Sequence, residues 1–340
     1  MDKVTVGMVG LGYWGPNLLR NFTQLDGCIL KTCCDLNEDS LRRAKMQYPD
    51  IQITDDFPSL LQDSEIQAVV IATSAKTHYD LAKQAILAGK HVFVEKPLTL
   101  SVADAEELVE LAKQNDRKLM VGHLMEYHPA VEMLKEMIQA GELGDIYYLY
   151  SQRVNLGKIR QDENALWSFA PHDISIIMYL LEAEPENVSA RGQAYLQDNI
   201  EDVVFVNLVF PDKSMAHIQL SWLDPHKIRR TTIVGSEKMA VFDDMEPTEM
   251  IRIYDKGVVN GGMYGSFGES LSLRFGDVRS PYIRMVEPLR LECQHFIDCI
   301  QSDKQPKSDG QDGLKVVKVL QAAQESLDNG GIPVRLEDVS

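Results

Sequence analysis

The chain has 340 residues, 44% of them hydrophobic, which suffices for two domains with separate cores. Lys and Arg number 34 against 51 Asp and Glu, and the net charge of −17 argues against a nucleic-acid partner, whose affinity rests on phosphate neutralisation. No apolar run reaches membrane-spanning length, the N-terminus enters a strand without a leader, and five cysteines lack disulfide parity or metal spacing. The expectation is a reduced, soluble, cytoplasmic protein with no membrane partner and no metal.

The first predicted strand, Val4–Val9, runs into Gly10-Leu11-Gly12-Tyr13-Trp14-Gly15-Pro16. In a dinucleotide fold the first glycine makes the tight turn and the second admits a pyrophosphate. The third lets the next helix lie close on the strand. Pro16 suits a first helical position, and the helix N-terminus offers free N–H donors to phosphate. A second apolar run, Cys28–Cys34, ends in Asp35, 20 residues after Gly15. A carboxylate there accepts from a ribose 2′-hydroxyl, which favours NAD and disfavours NADP.

Asn37 is read as the N-cap of a helix to about Tyr48, Ile51–Ile53 as a short strand, and Pro58 as the opening of a short helix. Ala68–Ala72 has the continuous apolar character of a buried parallel strand. A helix from about Lys76 ends at Gly89, and His91–Glu95 is the next strand. Ser101 with Asp104 marks the start of another helix, and Lys118–Gly122 closes the set. Strands alternating with helices predict a doubly wound parallel sheet, an α/β Rossmann domain over residues 1–122. Glu95-Lys96-Pro97 reaches its carboxyl edge, where a lysine can hold a substrate hydroxyl or help carry its proton. Without that context it reads as a solvent-facing lysine. His78, at a helix start, reads as a structural or cofactor-side residue.

These stretches resemble the glucose–fructose oxidoreductase / inositol dehydrogenase (Gfo/Idh/MocA) family. The resemblance rests on the glycine turn, Ala72-Thr73 with His78, and above all Ala88-Gly89-Lys90-His91-Val92-Phe93-Val94-Glu95-Lys96-Pro97. It implies that Lys96 is catalytic and that the Lys96–Pro97 peptide is cis. It also implies cofactor contacts from Gly10, Gly12, Tyr13, Trp14, Gly15, Asp35, Thr73, His78, Glu95 and Lys96.

Residues 123–340 form the second predicted domain, for substrate and oligomerisation. A helix over Ala130–Ala140 stops at Gly141. Runs rich in Val, Ile, Tyr and Phe then predict strands at Ile146–Val154, Val188–Leu196, Asp202–Phe210, Met215–Leu223, Arg229–Val234 and Lys238–Phe242, with a further one at Met250–Tyr254. This is an α+β domain with a large open, mostly antiparallel sheet. One helix, Asp173 to about Leu181, interrupts it. Asp255–Pro288, rich in glycine, is read as a long loop, and late helices follow at Leu289–Gln301 and Gly313–Leu327. The family resemblance implies that the free sheet face pairs with another subunit, giving a homodimer or homotetramer.

Pro171-His172 falls at the predicted start of the inserted helix, where the dipole favours a neutral imidazole and hence a base. On residues alone a capping or core histidine is the commoner reading, and the family resemblance makes His172 catalytic. Many members carry an aspartate four residues earlier, where this chain has Ser168. The expectation is a lesser hydrogen-bonding role for Ser168, or some charge function passing to Asp173. Arg153, Lys158 and Arg160 form a positive cluster suited to phosphate or, alternatively, a solvated loop. Trp167 is placed to stack on a sugar or base, or is simply buried. The Trp-x-x-Ala-Pro-His-Asp-Ile form resembles the branch that oxidises UDP-N-acetylhexosamines at C3. The expected function is therefore an NAD-dependent dehydrogenase of a sugar or nucleotide sugar, Lys96 orienting the hydroxyl and His172 removing its proton. The alternatives are a keto-sugar reductase, an inositol or aldose dehydrogenase, and a non-catalytic sugar-responsive regulator.

Overall fold

The computed structural model describes residues 3–157, 159–260 and 271–339. In chain order the first elements are β1 (Val4–Val9), α1 (Gly15–Gln24), β2 (Cys28–Cys34), α2 (Glu38–Gln47), β3 (Gln52–Thr54) and α3 (Phe57–Gln62). Then come β4 (Ala68–Ile71), α4 (His78–Leu87), β5 (His91–Glu95), α5 (Val102–Gln114), β6 (Leu119–Gly122) and α6 (Pro129–Gln139). They are followed by β7 (Ile146–Leu156), α7 (Ala165–Leu181), β8 (Asn187–Gln193), β9 (Val203–Val209), β10 (Met215–Ser221) and β11 (Leu223–Gly235). The chain closes with β12 (Met239–Asp243), β13 (Ile251–Asn260), β14 (Leu271–Arg279), α8 (Pro288–Ser302), α9 (Gly310–Asp328) and β15 (Val334–Arg335).

Two compact units result, one ending at Tyr127 and resuming over Val286–Lys318, the other comprising His128–Met285 with Val319–Val339. The first holds a six-stranded parallel sheet in the order β3-β2-β1-β4-β5-β6. Every residue of β4 is buried, the condition that makes a central parallel strand apolar throughout. The predicted caps are present. The Asn37 side chain accepts from Ser40 N–H at 3.0 Å, and Ser101 Oγ accepts from Asp104 N–H at 3.2 Å. The strand order reverses between the parallel neighbours β1 and β4, and the carboxyl ends of these strands form the crevice where such sheets take ligand.

The division expected at Gly122/His123 does not hold for the late helices. α8 places Leu289, Cys293, Phe296 and Ile297 in the same core as Val4, Phe22 and Phe93. Phe93 is the pivot: its ring lies 6.1 Å from Phe22 and 5.8 Å from Phe296, both edge-on. Burial of that apolar stripe draws residues far along the chain back to the first sheet.

In the second unit nine strands run in the order β14-β13-β12-β11-β7-β10-β9-β8-β15, antiparallel except where β10 lies parallel to β7. Leu149, Ser151 and Arg153 of β7 face inward, and α7 packs against β7, β9 and β10. Tyr148, Tyr150, Phe205 and Met215 are exposed on the other face.

Two expectations are corrected. The loop over Asp255–Pro288 contains strands β13 and β14, paired from Ile253–Arg279 through Asn260–Leu271, while residues 261–270 lie outside the described residues. Gly257 and Gly276 are strand residues, and the Asp255–Arg274 ion pair lies over them. A Cβ on Gly276 would stand 2.4 Å from the Asp255 carboxylate, so glycine here marks a close approach and not a turn. The inserted helix begins at Ala165 and not at Asp173, because Asn164 caps it by accepting from Trp167 N–H at 3.1 Å. Pro171 is inside the helix, where it removes one i→i−4 bond, and Ile174 and Ile177 on the buried face hold the helix continuous around it.

Phe296→Ala is expected to lower the unfolding free energy of the intact protein by about 3–5 kcal/mol, the cost of an emptied aromatic site in a packed core. Denaturant unfolding followed by circular dichroism measures it.

Candidate active site

Gly10 has φ +97°, and a Cβ built on it would lie 2.5 Å from the Ala72 carbonyl carbon at the end of β4. Gly12 has open space on that side. A tight turn followed by a bare approach is the cradle a pyrophosphate needs, and the residues fit a dinucleotide. The Asp35 carboxylate accepts from Leu11 N–H at 2.6 Å and from Asn37 N–H at 2.8 Å, which fixes it beside the turn where a ribose hydroxyl is read. Tyr13 is 87% exposed, while the Trp14 indole donates to Glu95.

A dinucleotide held with its ribose at Asp35 and its pyrophosphate at the glycine turn would extend its nicotinamide half toward the ends of β4 and β5. Glu95 and Lys96 are there, and the Lys96–Pro97 peptide is cis as expected. Thr73 Oγ1 bonds Thr77 Oγ1 at 2.7 Å. Buried His78 has Nδ1 2.8 Å from the Pro97 carbonyl and Nε2 3.2 Å from the Thr73 carbonyl. Burial lowers its pKa against those two bonds. With both ring nitrogens engaged, His78 ties the turn after β4 to the turn after β5 and supports the site from behind.

Beneath this edge lies a buried acidic group that the sequence reading did not find. His123 Nδ1 is 2.6 Å from Asp312 Oδ2 and 3.4 Å from Glu126 Oε1. Burial pulls the His123 pKa down, and the bonds to Asp312 and Glu126 outweigh it, raising the value to about 10. Burial raises Glu126 to about 7, with His123 opposing. Burial likewise raises Glu95 to about 7 against Lys96 and the Trp14 bond. Glu292, on α8, is fully buried and neither carboxyl oxygen has a hydrogen-bond partner among the described residues. Burial and the nearby Glu95 hold it protonated, well above the ordinary carboxyl range. A signal existed in the sequence: Glu292 sits on the apolar stripe of α8, between Leu289 and Cys293.

In the second unit His172 is the eighth residue of α7, half-buried, one residue before Asp173. The helix-terminus rationale for a neutral base therefore fails, since the dipole acts only within the first turn. Asp173 is buried and accepts from Arg153 Nε at 2.6 Å and from Ser151 Oγ at 2.5 Å. Arg153 and Asp173 thus satisfy one another inside the sheet–helix interface. Arg160 pairs with Glu163 at 2.9 Å, and Lys158 lies outside the described residues. The two described cations of the expected phosphate cluster therefore already have carboxylate partners. Half-buried Trp167 donates its indole N–H to Gln324 Oε1 at 3.1 Å, and Ser168 is buried one residue on.

Gly10→Ala is expected to weaken NADH binding by about tenfold or more, read by fluorescence titration, because the added methyl group meets backbone. A second expectation concerns pH. A carboxyl with a raised folded pKa keeps a proton that the unfolded chain releases above about 4.5, so stability falls as pH rises through about 7 for Glu95 and Glu126. The stability contributed by His123 is full below about 6.5 and is lost as pH rises through about 10. The melting temperature is therefore expected to fall between pH 5 and 9. Glu292→Gln, which cannot ionise, should lose less than the parent above pH 7.

Comparison with known proteins agrees with this geometry. Residues 4–123 match the family profile described as an oxidoreductase family with an NAD-binding Rossmann fold, and residues 131–241 match the GFO/IDH/MocA C-terminal domain. The chain is 27% identical over 345 residues to a myo-inositol 2-dehydrogenase of Thermotoga maritima, covering 98% of this chain and 99% of that one. It is 27% identical over 320 residues to a UDP-N-acetylglucosamine 3-dehydrogenase of Acidithiobacillus ferrooxidans, covering 93% and 95%. The solved structure of that enzyme superposes with a TM-score of 0.80 over 97% of this chain and 99% of the other, at 24% identity, which shows a shared fold. The segment shared with an uncharacterized oxidoreductase of Streptococcus pneumoniae, 28% identical over 230 residues, is 64% of this chain and 62% of that one. The chain belongs to the GFO/IDH/MocA family and is an NAD-binding oxidoreductase.

Proposed function

We propose that this protein oxidises a secondary ring hydroxyl of a nucleotide sugar of the UDP-N-acetylhexosamine class, at C3, passing hydride to NAD. The observation that carries the dehydrogenase reading is the meeting, on one sheet edge, of the glycine turn, the fixed Asp35 carboxylate and Lys96. The similarity to the UDP-N-acetylglucosamine 3-dehydrogenase over 93% of the chain supports the substrate class. Lys96 is assigned to orient the reacting hydroxyl. His172 is assigned to accept its proton, a role that now rests on the family resemblance and not on a helix terminus. Ser168 supports His172 from the preceding turn of α7. Arg153 and Asp173 shape the substrate side from within, as a mutually satisfied pair, and Trp167 presents its ring there.

A second reading has its own support. Because Arg153 and Arg160 are already paired with carboxylates, a neutral cyclic polyol such as an inositol suits the second unit as well as a diphosphate does. The exposed face carrying Tyr148, Tyr150, Phe205 and Met215 is assigned to a second copy of the chain, as a homodimer or homotetramer. Light scattering on the purified protein tests that assignment, and a monomer rejects it.

Thermal melting with NADH and a panel of UDP-sugars, inositols and free aldoses distinguishes the substrates, since a ligand of the folded state raises the midpoint with concentration. A further shift with UDP-N-acetylglucosamine supports the nucleotide-sugar reading, and a shift with inositols alone replaces it. On the responding substrate, Lys96→Ala and His172→Ala are each expected to cut turnover about 10²–10⁴-fold. His172→Ala should leave NADH binding intact. Full turnover in that variant removes His172 from the role of base.

A further inference from the structure

The first unit contains a charge imbalance that cofactor binding alone does not require. Four carboxyl groups, Glu95, Glu126, Glu292 and Asp312, are set among three basic side chains, Lys96, His123 and Lys307. They come from four parts of the chain: the end of β5, the segment after β6, α8, and the start of α9 with the residues before it. Packing fixes them together. Glu95 pairs with Gly122 across β5 and β6, and a Cβ on Gly122 would lie 3.2 Å from three atoms of the Glu95 carboxyl group. His123 follows directly and bonds Asp312. Lys307 Nζ donates to the Glu126 carbonyl at 2.6 Å and lies 4.4 Å over the Tyr127 ring. The acids outnumber the bases, and Glu292 has no hydrogen-bond partner for either oxygen among the described residues. An ionised carboxylate buried in that way is costly, so the group needs a bound cation or a bound proton.

The distances favour the proton. Two ligands of one tetrahedral metal, each about 2.0–2.1 Å from it, stand more than 3 Å apart. His123 Nδ1 and Asp312 Oδ2 are 2.6 Å apart, the length of a charge-assisted hydrogen bond with the proton between them. The Asp312 side chain is 25% exposed, which gives the buried group one opening to water.

The Glu95 carboxylate accepts from the Lys96 backbone N–H, so the cluster begins at the edge assigned above to the nicotinamide half of NAD. We propose that Glu95, His123, Glu126, Glu292 and Asp312 form a proton store, which gains a proton when the nicotinamide loses its positive charge and releases it on reoxidation. Oxidation of an alcohol yields a ketone, a hydride and a proton. The hydride brings two electrons to the ring and cancels its charge. The substrate proton passes to the base His172 and on to water, the cluster takes one proton from water at the exposed edge of Asp312, and the total charge of the region is unchanged with no further oxidant or reductant. The inference rests on NAD binding at this sheet edge and is independent of which sugar reacts.

The groups facing Glu126 are His123 and Tyr127 from its own segment, Glu292 from α8, Asp312 from α9 and Lys307 from the residues before α9. Those facing Glu95 are Lys96, His123, Glu292 and Cys293 of α8, and the Trp14 indole. The test is calorimetric titration of the whole protein with NAD+ and with NADH near pH 7, in buffers of different ionisation enthalpy. NADH binding is expected to take up about half a proton or more beyond what NAD+ binding takes up. Glu126→Gln, still folded and still binding NADH, is expected to lose at least half of that difference. Where Glu126→Gln does not fold, Asp312→Asn carries the same expectation. Equal proton exchange for the two cofactor forms from pH 6 to 8, or an unchanged difference in the folded variant, overturns the proposal. So does a rise in melting temperature with zinc or magnesium chloride that Glu126→Gln abolishes, which makes the cluster a cation site instead.

Discussion

The backbone of Ala72 at the end of β4 leaves no room for a side chain at Gly10 after β1, and the site depends on that closeness. β1 and β4 are neighbours where the winding of the sheet reverses, so the two turns that leave them share one crevice. The positive φ at Gly10 aims the next residues along the crevice, and the Asp35 carboxylate holds Leu11 N–H in place. His78 then joins the turn after β4 to the turn after β5. In this way the position of Lys96 follows from a backbone contact two strands away.

Each unit contains a buried carboxylate solved differently. Asp173 has a full complement, two nitrogens of Arg153 and the Ser151 hydroxyl, and is a satisfied ion pair between helix and sheet. Its worth lies in fixing α7 on β7 more than in net stability, because desolvation of both charges offsets much of their attraction. Among the described residues Glu292 has no such partners, and protonation is what makes its burial tolerable.

Legibility in the sequence followed the range of the interactions. The glycine turn, the buried strands, Asn37 and Ser101 as caps and the spacing to Asp35 are local signals, and each is where the residues predicted it. Pro171 resembles an N-terminal proline and points to a later start of α7, while the cap is Asn164 and the helix passes through the proline on the strength of its buried face. The hairpin of β13 and β14 was hidden by glycines that make room for the Asp255–Arg274 pair across the strands. Arg153 looked like a free cation for phosphate, and only its partner on α7 shows otherwise.

A dinucleotide-binding α/β domain, a second domain built on an open sheet, and Lys96 at a strand end can all be read from the chain alone. Those properties depend on periodicity, turn chemistry and short spacings, which neighbouring residues carry in full. Packing decided that α8 completes the first core and that His123, Glu126, Glu292 and Asp312 become one buried group. It also decided that the cations thought open to phosphate already have partners. A charge is defined by what surrounds it, and those surroundings come from segments up to 189 residues apart, as for His123 and Asp312.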